Sequence, residues 1–439
     1  MKKIDFSFRL FAIGLLLLLL GCSSARVMMP TPNVYLNTEG DPYHNLPKEL
    51  KGSEVQLFYI TDRKPEKNDK GNLHYGFGRS ASLAFGTAVV DLGVDMTWDE
   101  LLQASRTQKR SKPVKLALRQ VTEHVRGPHS PIPYTLIDGK IVEEPTLIAE
   151  RKQLAQAFRR ILVQQLALTP RKEVFIYIHG YNNNFDDAAF AMAELWHFLG
   201  RIGVPIIYTW PAGYPSALFG YTYDRESSEF TVYHLREALG FIASFPEVEK
   251  IHLIAHSRGT DVAVTALREL TLRTRAAGAD PRLKFKIHNF ILAAPDLDIM
   301  VAEQRIDGDK LALSASRFTI YTSPDDRAIG IAKKLSKSPQ GRIGTFSPED
   351  MTKYQRSMTE FYGASDFAIV QYPGASGTES LQGDRYGHSY FRTSPTVSSD
   401  LVLMLRDDLD PGTPGRPLEH IDVNYWRIPP GYPGNTSNE

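Results

Sequence analysis

The stretch from Lys250 to Ala263 constrains the fold of this chain more than any other. It begins with a short apolar run, passes through small residues, and then carries apolar residues at helical spacing. Ser257 lies at the turn, and its neighbours two residues away, Ala255 and Gly259, are small enough to let the backbone turn sharply. The pattern predicts a strand, a tight turn with a serine at its tip, and a helix whose N-terminal end stabilises a nearby anion.

This turn has two interpretations. It matches the nucleophile elbow G-x-S-x-G of serine hydrolases, with Ala255 in the position of the first glycine. It also matches an ordinary strand-to-helix turn that happens to contain a serine. The residues at the ends of the other predicted strands favour the first interpretation.

Apolar segments of strand length alternate with helical segments along most of the chain. Because parallel strands need crossover helices, this alternation predicts an α/β fold with a mostly parallel central sheet and helices on both faces. We expect a β-rich N-terminal part at residues 53–147 and a catalytic core at residues 148–409. The predicted strands are Glu54 to Thr61, Ser82 to Leu92, Lys115 to Val125, Glu173 to Ile178, Val204 to Trp210, the strand before Ser257, Phe285 to Ala293, Arg317 to Tyr321 and Ala364 to Tyr372.

Several polar residues follow directly after these predicted strands, where ligands collect in parallel sheets. A serine nucleophile needs a base that takes its proton, and the base needs a carboxylate that orients it. His388, in the loop after the Ala364 to Tyr372 strand, has the chain position of such a base. The other candidate histidines are interpreted as structural or as part of a loop next to the site: His179, His252 and His256.

The sequence identifies the acidic partner of His388 less clearly than it identifies the serine and the histidine. Asp325 and Asp326 follow the penultimate predicted strand, and we select Asp326, with Asp296 as the alternative acid. Asp296 also fits a helix N-cap after its strand. A further aspartate, Asp224, is interpreted as a structural ion pair with Arg225.

The N-terminus has the composition of a secretory signal peptide over residues 1–21. A basic head precedes the apolar run Leu10 to Leu20, which is too short to span a bilayer comfortably. The sequence before Cys22, the only cysteine, is similar to a bacterial lipobox and predicts lipidation there, whereas a plain secretory signal with an incidental cysteine is the alternative. By that similarity, Ser23 favours the outer membrane of a two-membrane bacterium. Residues 22–52 are expected to form a flexible tether.

Composition restricts the possible partners. Lys plus Arg number 51 and Asp plus Glu number 50, so the formal net charge is +1. No basic block is set among stacking aromatic residues, which argues against a nucleic-acid partner. Residues 410–439, rich in proline and glycine, are expected to form a surface extension.

An ordered set of motifs over residues 55–395 resembles a bacterial family of uncharacterised α/β hydrolases grouped with esterases and lipases. The resemblance implies the order Ser257, Asp326, His388 for a catalytic triad, and backbone N–H donors for an oxyanion at Tyr181 and Arg258. Arg258 stands where that family often has methionine, so it either favours an anionic substrate or lies on the helix surface. The motifs are LFYITDR at 57–63, IHGYNN at 178–183, TWP at 209–211, YDRES at 223–227, IAHSRG at 254–259, AAPDLD at 293–298, SPDDRA at 323–328 and GHSYF at 387–391.

The sequence therefore predicts a serine hydrolase that cleaves carboxylic esters through an acyl-enzyme on Ser257, without a metal or an organic cofactor. The expected substrate is a small-molecule or lipid ester, and the lipid anchor at Cys22 is expected to attach the protein to a membrane. The oligomeric state is left open. Two alternatives remain at this point. The chain could be a non-catalytic envelope binding protein of the same fold, or an acyltransferase or amidase that uses the same residues.

Overall fold

The computed structural model describes residues 26–36, 42–216, 219–336, 340–350, 363, 366–374 and 384–434. The predicted signal peptide and Cys22 lie outside the described residues. In the described part of the chain, no helix has both the length and the apolar character needed to cross a membrane.

A large mixed sheet forms the centre of the protein, and a small two-stranded hairpin stands apart from it. The strands are β1 Glu54–Lys67, β2 Leu73–Asp91, β3 Ala117–Arg126, β4 Tyr134–Ile137, β5 Lys140–Glu143, β6 Glu173–Ile178, β7 Val204–Thr209, β8 Lys250–His256, β9 Ile287–Ala293, β10 Arg317–Thr322, β11 Phe367–Gln371, β12 Glu419–Asp422 and β13 Tyr425–Arg427. Strands β4 and β5 form the hairpin, and the large sheet has the order β12-β13-β11-β10-β9-β8-β6-β7-β1-β2-β3 within the described residues. All neighbours from β13 to β1 pair in parallel, and the edge pairs β12 with β13, β1 with β2 and β2 with β3 are antiparallel.

Helices cover both faces of this sheet, which confirms the predicted α/β fold. Alternate residues of each central strand face opposite sides, so that Val174 and Ile176 of β6 enter one apolar core and Phe175 and Tyr177 enter the other. The helices are α1 Trp98–Ala104, α2 Pro145–Ala167, α3 Phe185–Phe198, α4 Gly220–Ser244, α5 Gly259–Ala276, α6 Pro281–Phe285, α7 Ile299–Ala302, α8 Arg327–Ser336, α9 Tyr390–Thr393 and α10 Pro395–Leu405. The first core also contains residues of α2, α4 and α5, and the second contains residues of α3 and α10.

The N-terminal segment packs against the domain, which corrects the expected tether at residues 22–52 for the part that is described. Met28, Met29 and Tyr35 are buried in the core that contains α3 and α10. The N–H group of Met28 also donates to the carbonyl oxygen of Val114 at 2.8 Å. The prolines of this segment suggested a tether, but its apolar residues are buried against the folded domain.

The C-terminal segment also belongs to the fold, which corrects the expected surface extension at residues 410–439 for the part that is described, up to residue 434. Strand β13 pairs in parallel with β11, so the strand at Phe367–Gln371 is not the last of the sheet. Arg416 is fully buried and forms a two-pronged ion pair with Asp400 of α10, each pair of atoms 2.8 Å apart. The hydroxyl groups of Tyr321 and Tyr432 donate to the same carboxylate.

Removal of the Arg416 charge is expected to destabilise the whole domain. The variant Arg416→Met leaves the Asp400 carboxylate buried without its cation, which costs about 3–5 kcal/mol of unfolding free energy. Urea unfolding measures this loss, with Arg160→Met, an exposed position of α2, as the control that changes stability by less than about 0.5 kcal/mol. Equal stability of the two variants would contradict a structural role for the C-terminal segment.

Candidate active site

The turn between β8 and α5 has the geometry of a strained elbow. Ser257 has a φ of +53°, a left-handed conformation that is uncommon outside glycine. A Cβ atom on Gly259 would lie 2.3 Å from the carbonyl oxygen of His179, and one on Gly180 would lie 2.7 Å from the Cβ of Ser257. The close approach of the two loops therefore requires glycine at both positions, and it places the loop after β6 directly against the serine.

Asp326, which is buried, and His388, which is partly exposed, form a hydrogen-bonded pair beside this turn. The Nδ1 atom of His388 lies 2.7 Å from Oδ2 of Asp326, and Oδ1 of Asp326 accepts from the N–H group of Ile329 in the first turn of α8. Asp326 is only 1% exposed, whereas the neighbouring Asp325 is exposed. The fold therefore brings Asp326, and not Asp325, to His388.

His388 also lies close to the serine turn. Its carbonyl oxygen is 3.1 Å from Nε2 of His256, the residue that precedes Ser257, and the two imidazole rings are 4.8 Å apart between centroids. Burial of His256 lowers its pKa well below the usual value, so this ring is neutral and its Nε2–H donates to the carbonyl oxygen. His256 thus links the serine turn to the His388 loop.

Several acidic groups set the protonation of His388. Burial alone lowers the pKa of His388, but the hydrogen bond and charge of Asp326 outweigh it, with further contributions from Asp296 and Asp384. The net effect raises the pKa of His388 above its usual value. A raised pKa makes the imidazole a stronger base than a free histidine.

Asp296, the alternative acid, has a different partner. Its carboxylate lies 2.8 Å from the guanidinium of Arg342, and its N–H group donates to the carbonyl oxygen of Ser257 at 3.3 Å. It contributes only a lesser charge effect to the pKa of His388. The predicted helix N-cap in this segment is provided by Asp298, which accepts from Met300 and Val301.

The two predicted oxyanion donors lie on the loops that flank the serine. In the described part of the chain, the backbone N–H groups of Tyr181 and Arg258 form no hydrogen bond. The side chain of Arg258 is buried, pairs with Asp261 at 2.8 Å and donates to Ser228. Its burial corrects the expectation that Arg258 lies on the helix surface. Asp261 also pairs with Arg305, so one carboxylate faces two guanidinium groups, and the preference for an anionic substrate stays a prediction.

Asp224 supports the loop after β6, a role that the sequence analysis missed. Its carboxylate accepts from the N–H groups of Asn182 at 2.8 Å and of Gly213 at 3.0 Å. Arg225 is exposed and is not the partner of Asp224, so the predicted ion pair is wrong. Asn182 has a φ of +55°, and the bond to Asp224 holds this strained residue next to Tyr181.

Arg63 is a second supporting residue that was not singled out. It is completely buried and donates to the carbonyl oxygens of Gly76, Ala212 and Asn183. Its burial lowers its pKa to about 10, so it stays charged at neutral pH. Arg63 belongs to the LFYITDR motif, which was the only sequence signal for this role.

His179 completes the support of this loop as a neutral side chain. Burial, aided by the nearby charge of Arg63, lowers the pKa of His179 to about 3. Its Nε2 accepts from the N–H group of Trp210 at 3.1 Å, and its ring stacks on the indole. This arrangement confirms its interpretation as a structural histidine of the loop.

No group of three or more His, Cys, Asp or Glu side chains among the described residues is arranged to hold a metal ion. The chemistry that this arrangement supports is nucleophilic: a serine on a strained turn, beside a histidine held by a buried carboxylate. Arg63, Asp224 and His256 hold the surrounding loops.

Comparison with protein families agrees with this fold. No curated protein matches the chain. The alpha chain of tryptophan synthase from Legionella pneumophila subsp. pneumophila is similar over 57% of this chain and 90% of its own, but at 12% identity and a TM-score of 0.19, which carries no argument. Residues 154–406 match the family described as alpha/beta hydrolases of unknown function (DUF900). The chain belongs to this family of α/β hydrolases.

Proposed function

We propose that the protein is a serine hydrolase that cleaves carboxylic esters through an acyl-enzyme on Ser257. The observation that carries this proposal is the Asp326–His388 pair, 2.7 Å apart, beside a serine held at a φ of +53°. An ordinary strand-to-helix turn needs neither the strain nor a histidine bonded to a buried carboxylate. Strain of this kind costs about 1–3 kcal/mol and persists where the surroundings enforce it, often at active sites.

In the proposed reaction, His388 takes the proton of Ser257 as its Oγ attacks the ester carbonyl carbon. Negative charge then develops on the former carbonyl oxygen, and the N–H groups of Tyr181 and Arg258 donate to it. The C–O bond to the alcohol breaks, and His388 gives its proton to that alcohol. Water next attacks the carbonyl carbon of the acyl-serine ester, and His388 takes a proton from that water. His388 then returns the proton to the Oγ of Ser257 as the bond to the acyl group breaks, which releases the carboxylic acid.

Asp326 acts through His388 in this scheme. Its carboxylate accepts the Nδ1–H of the imidazole, so Nε2 is the nitrogen left to accept the serine proton. Its negative charge also stabilises the imidazolium that forms in the transition state. Every step uses only side chains and backbone groups of this chain, and the proposal includes no metal or organic cofactor.

The natural substrate and the place of action are further parts of the proposal. A lipid anchor at Cys22 is supported by the lipobox-like sequence, and it would hold the protein at the outer membrane of a two-membrane bacterium. Lipid or envelope esters would then be within reach. The competing functions are acyl transfer to an acceptor other than water, amide cleavage, and binding without catalysis.

Hydrolysis of p-nitrophenyl esters tests the proposed function. We expect a rapid burst of p-nitrophenol equal to the concentration of active sites, followed by slower turnover, because the acyl-enzyme forms before water releases it. Esters from acetate to palmitate show the preferred acyl length. If the burst is not followed by turnover, and p-nitrophenol release continues only after an alcohol or amine is added, the enzyme transfers the acyl group to that acceptor. No burst with any ester contradicts the proposed hydrolase.

The pH dependence of kcat/KM should show the raised pKa of His388. Below its pKa the imidazole is protonated and cannot accept the serine proton, so activity falls as the pH falls through that value. Because the pKa of His388 is raised, the acidic limb should have its midpoint above about 6.5, the value of an unperturbed histidine. A midpoint clearly below 6.5, measured with a non-ionising ester, would contradict this assignment.

A further inference from the structure

A cleft of about 1000 Å³ lies beside the loop that carries His388. Asp384 and Ser389 form part of its wall, together with the N-terminal segment 26–30, the loop 108–113 and the start of α3. Ser257, Asp326 and His388 do not line it. Its volume is at the upper end of the range of small-molecule sites, about 300–1000 Å³.

Basic side chains predominate on the wall of this cleft. Arg26, Lys109, Arg110, Lys112 and Arg392 line it, against the three acidic residues Asp186, Asp187 and Asp384.

Two of these acidic residues already have partners. Asp187 accepts from the N–H group of Asn184 in the cap of α3, and Asp384 accepts from the N–H group of Ser389. These bonds from neutral N–H groups leave the carboxylates charged, but five basic side chains against three acidic ones still give the wall of the cleft a positive balance.

Arg26 and Arg392 lack hydrogen-bond acceptors. Each has a terminal nitrogen 3.6 Å from Oε2 of Glu194, which is too long for a hydrogen bond. Within the described residues neither guanidinium donates a hydrogen bond, and the Nε of Arg26 is buried without a partner. A buried donor without an acceptor costs about 1–3 kcal/mol, which applies here to the Nε of Arg26. The remaining donors of the two guanidinium groups are partly exposed and can donate to the acceptor oxygens of a ligand.

Glu194 forms long ion pairs with both Arg26 and Arg392, but its single charge balances only one of the nearby positive charges. It is fully buried, and its Oε1 accepts from the N–H group of Met29, while Oε2 accepts no hydrogen bond. Arg110 lies near as well, and its burial lowers its pKa to about 10 despite the opposing charge of Glu194. Burial and the neighbouring charge of Arg26 likewise lower the pKa of Arg392. Three guanidinium groups thus surround one carboxylate.

We propose that this cleft binds a phosphate-bearing ligand, whose oxygens accept hydrogen bonds from Arg26 and Arg392. The planar guanidinium donates two parallel hydrogen bonds to a phosphate, a geometry that a lysine cannot provide. The ligand is either a free phosphate ester or the headgroup of a phospholipid. Arg26 follows Cys22 by four residues, at most about 14 Å of extended chain, so a lipid anchor there would bring headgroups close to the cleft.

The proposed phosphate site does not depend on the proposed hydrolase chemistry, but it lies next to the loop that carries His388. Asp384 lines the cleft and also contributes to the raised pKa of His388. Arg392 lies in α9, directly after the His388 loop. An anion held by Arg392 therefore contacts the element that follows the catalytic base.

Calorimetric titration of the full-length chain in a neutral detergent tests the proposal. The probes are inorganic phosphate, glycerol 3-phosphate and dihexanoyl phosphatidylglycerol. The test variants are Arg26→Gln and Arg392→Gln, and Arg160→Gln on the exposed side of α2 is the matched control. We expect saturable binding by the wild type and by the control, and a loss of affinity of about tenfold or more in each cleft variant, because each loses charge-assisted hydrogen bonds.

The melting temperature of each variant shows whether it is folded. If Arg392→Gln does not fold, Arg392→Lys keeps a positive charge beside Glu194 without the two-pronged geometry, and the same tenfold loss is expected.

Tighter binding of dihexanoyl phosphatidylglycerol than of glycerol 3-phosphate identifies a lipid headgroup, and the reverse order identifies a free phosphate ester. No saturable binding of any probe, or unchanged affinity in the folded cleft variants, overturns the proposal. Because binding is measured directly, an inactive hydrolase does not affect the result.

Discussion

Replacing Ser257 by alanine is expected to reduce ester hydrolysis to about one part in a million of the wild-type kcat. The variant loses the only atom that attacks the substrate in the proposed mechanism, while the N–H groups of Tyr181 and Arg258 remain. Alanine is smaller than serine and keeps the same Cβ, so the close contact with Gly180 does not change. The fold should therefore persist, and steady-state hydrolysis of a p-nitrophenyl ester measures the loss.

The matched control for this change is Ser244→Ala. Ser244 is an exposed serine at the end of α4 whose hydroxyl donates only to the carbonyl oxygen of Phe241. Its variant should keep kcat within about twofold, since exposed substitutions away from special features change little. If Ser257→Ala is folded and retains most of the wild-type activity, another group is the nucleophile and the proposed mechanism is wrong.

Replacing Asp326 by asparagine is expected to lower kcat by about 10⁴-fold. The amide keeps the size of the side chain but removes the negative charge that stabilises the imidazolium of His388. It also lets the side chain donate to Nδ1, which favours the wrong tautomer. Since Asp326 is the main group that raises the pKa of His388, the acidic limb of the residual activity should move to lower pH.

Asp325→Asn is the natural control, because Asp325 is the adjacent residue, has the same side chain and is exposed. We expect it to retain nearly full activity. Asp296→Asn separates the two candidate acids, and its kcat should fall far less than that of Asp326→Asn. Because it leaves Arg342 buried without its carboxylate, its stability is measured in parallel. A larger loss of kcat in folded Asp296→Asn than in Asp326→Asn would show that Asp296 is the acid.

The central sheet and the proximity of Asp326 to His388 could be predicted from the sequence, because strand, turn and helix signals are local and the order of the strands is regular. A strand, a sharp turn and a helix are encoded within fourteen consecutive residues around Ser257. The choice of Asp326 and His388 followed from strand ends and chain order, since the ends of parallel strands meet at one edge of the sheet. The structure then places these two side chains 2.7 Å apart.

The supporting residues could not be predicted in the same way. Arg63 binds the carbonyl oxygen of Asn183, and Asp224 binds the N–H group of Asn182, so each reaches a loop that is distant in sequence. Neither contact leaves a periodic pattern, and an aspartate followed by an arginine gives a misleading local signal of an ion pair.

The two ends of the described chain were predicted incorrectly for a related reason. Proline and glycine suggested loose segments, but the side chain of Asn33 donates to the carbonyl oxygen of Tyr432, 399 residues away. Arg416 likewise pairs with Asp400 in the buried core. Local composition describes how a segment can bend, whereas burial depends on partners elsewhere in the chain.

Covalent labelling with a fluorophosphonate, followed by peptide mass spectrometry, tests the central claim most directly. The activated Oγ of Ser257 attacks phosphorus and displaces fluoride, so the account predicts one phosphonyl group per chain, attached to Ser257. Labelling should be absent in Ser257→Ala and greatly slowed in Asp326→Asn, and unchanged in Asp325→Asn. A folded wild-type protein that remains unlabelled, or that is labelled at another residue, would contradict the account.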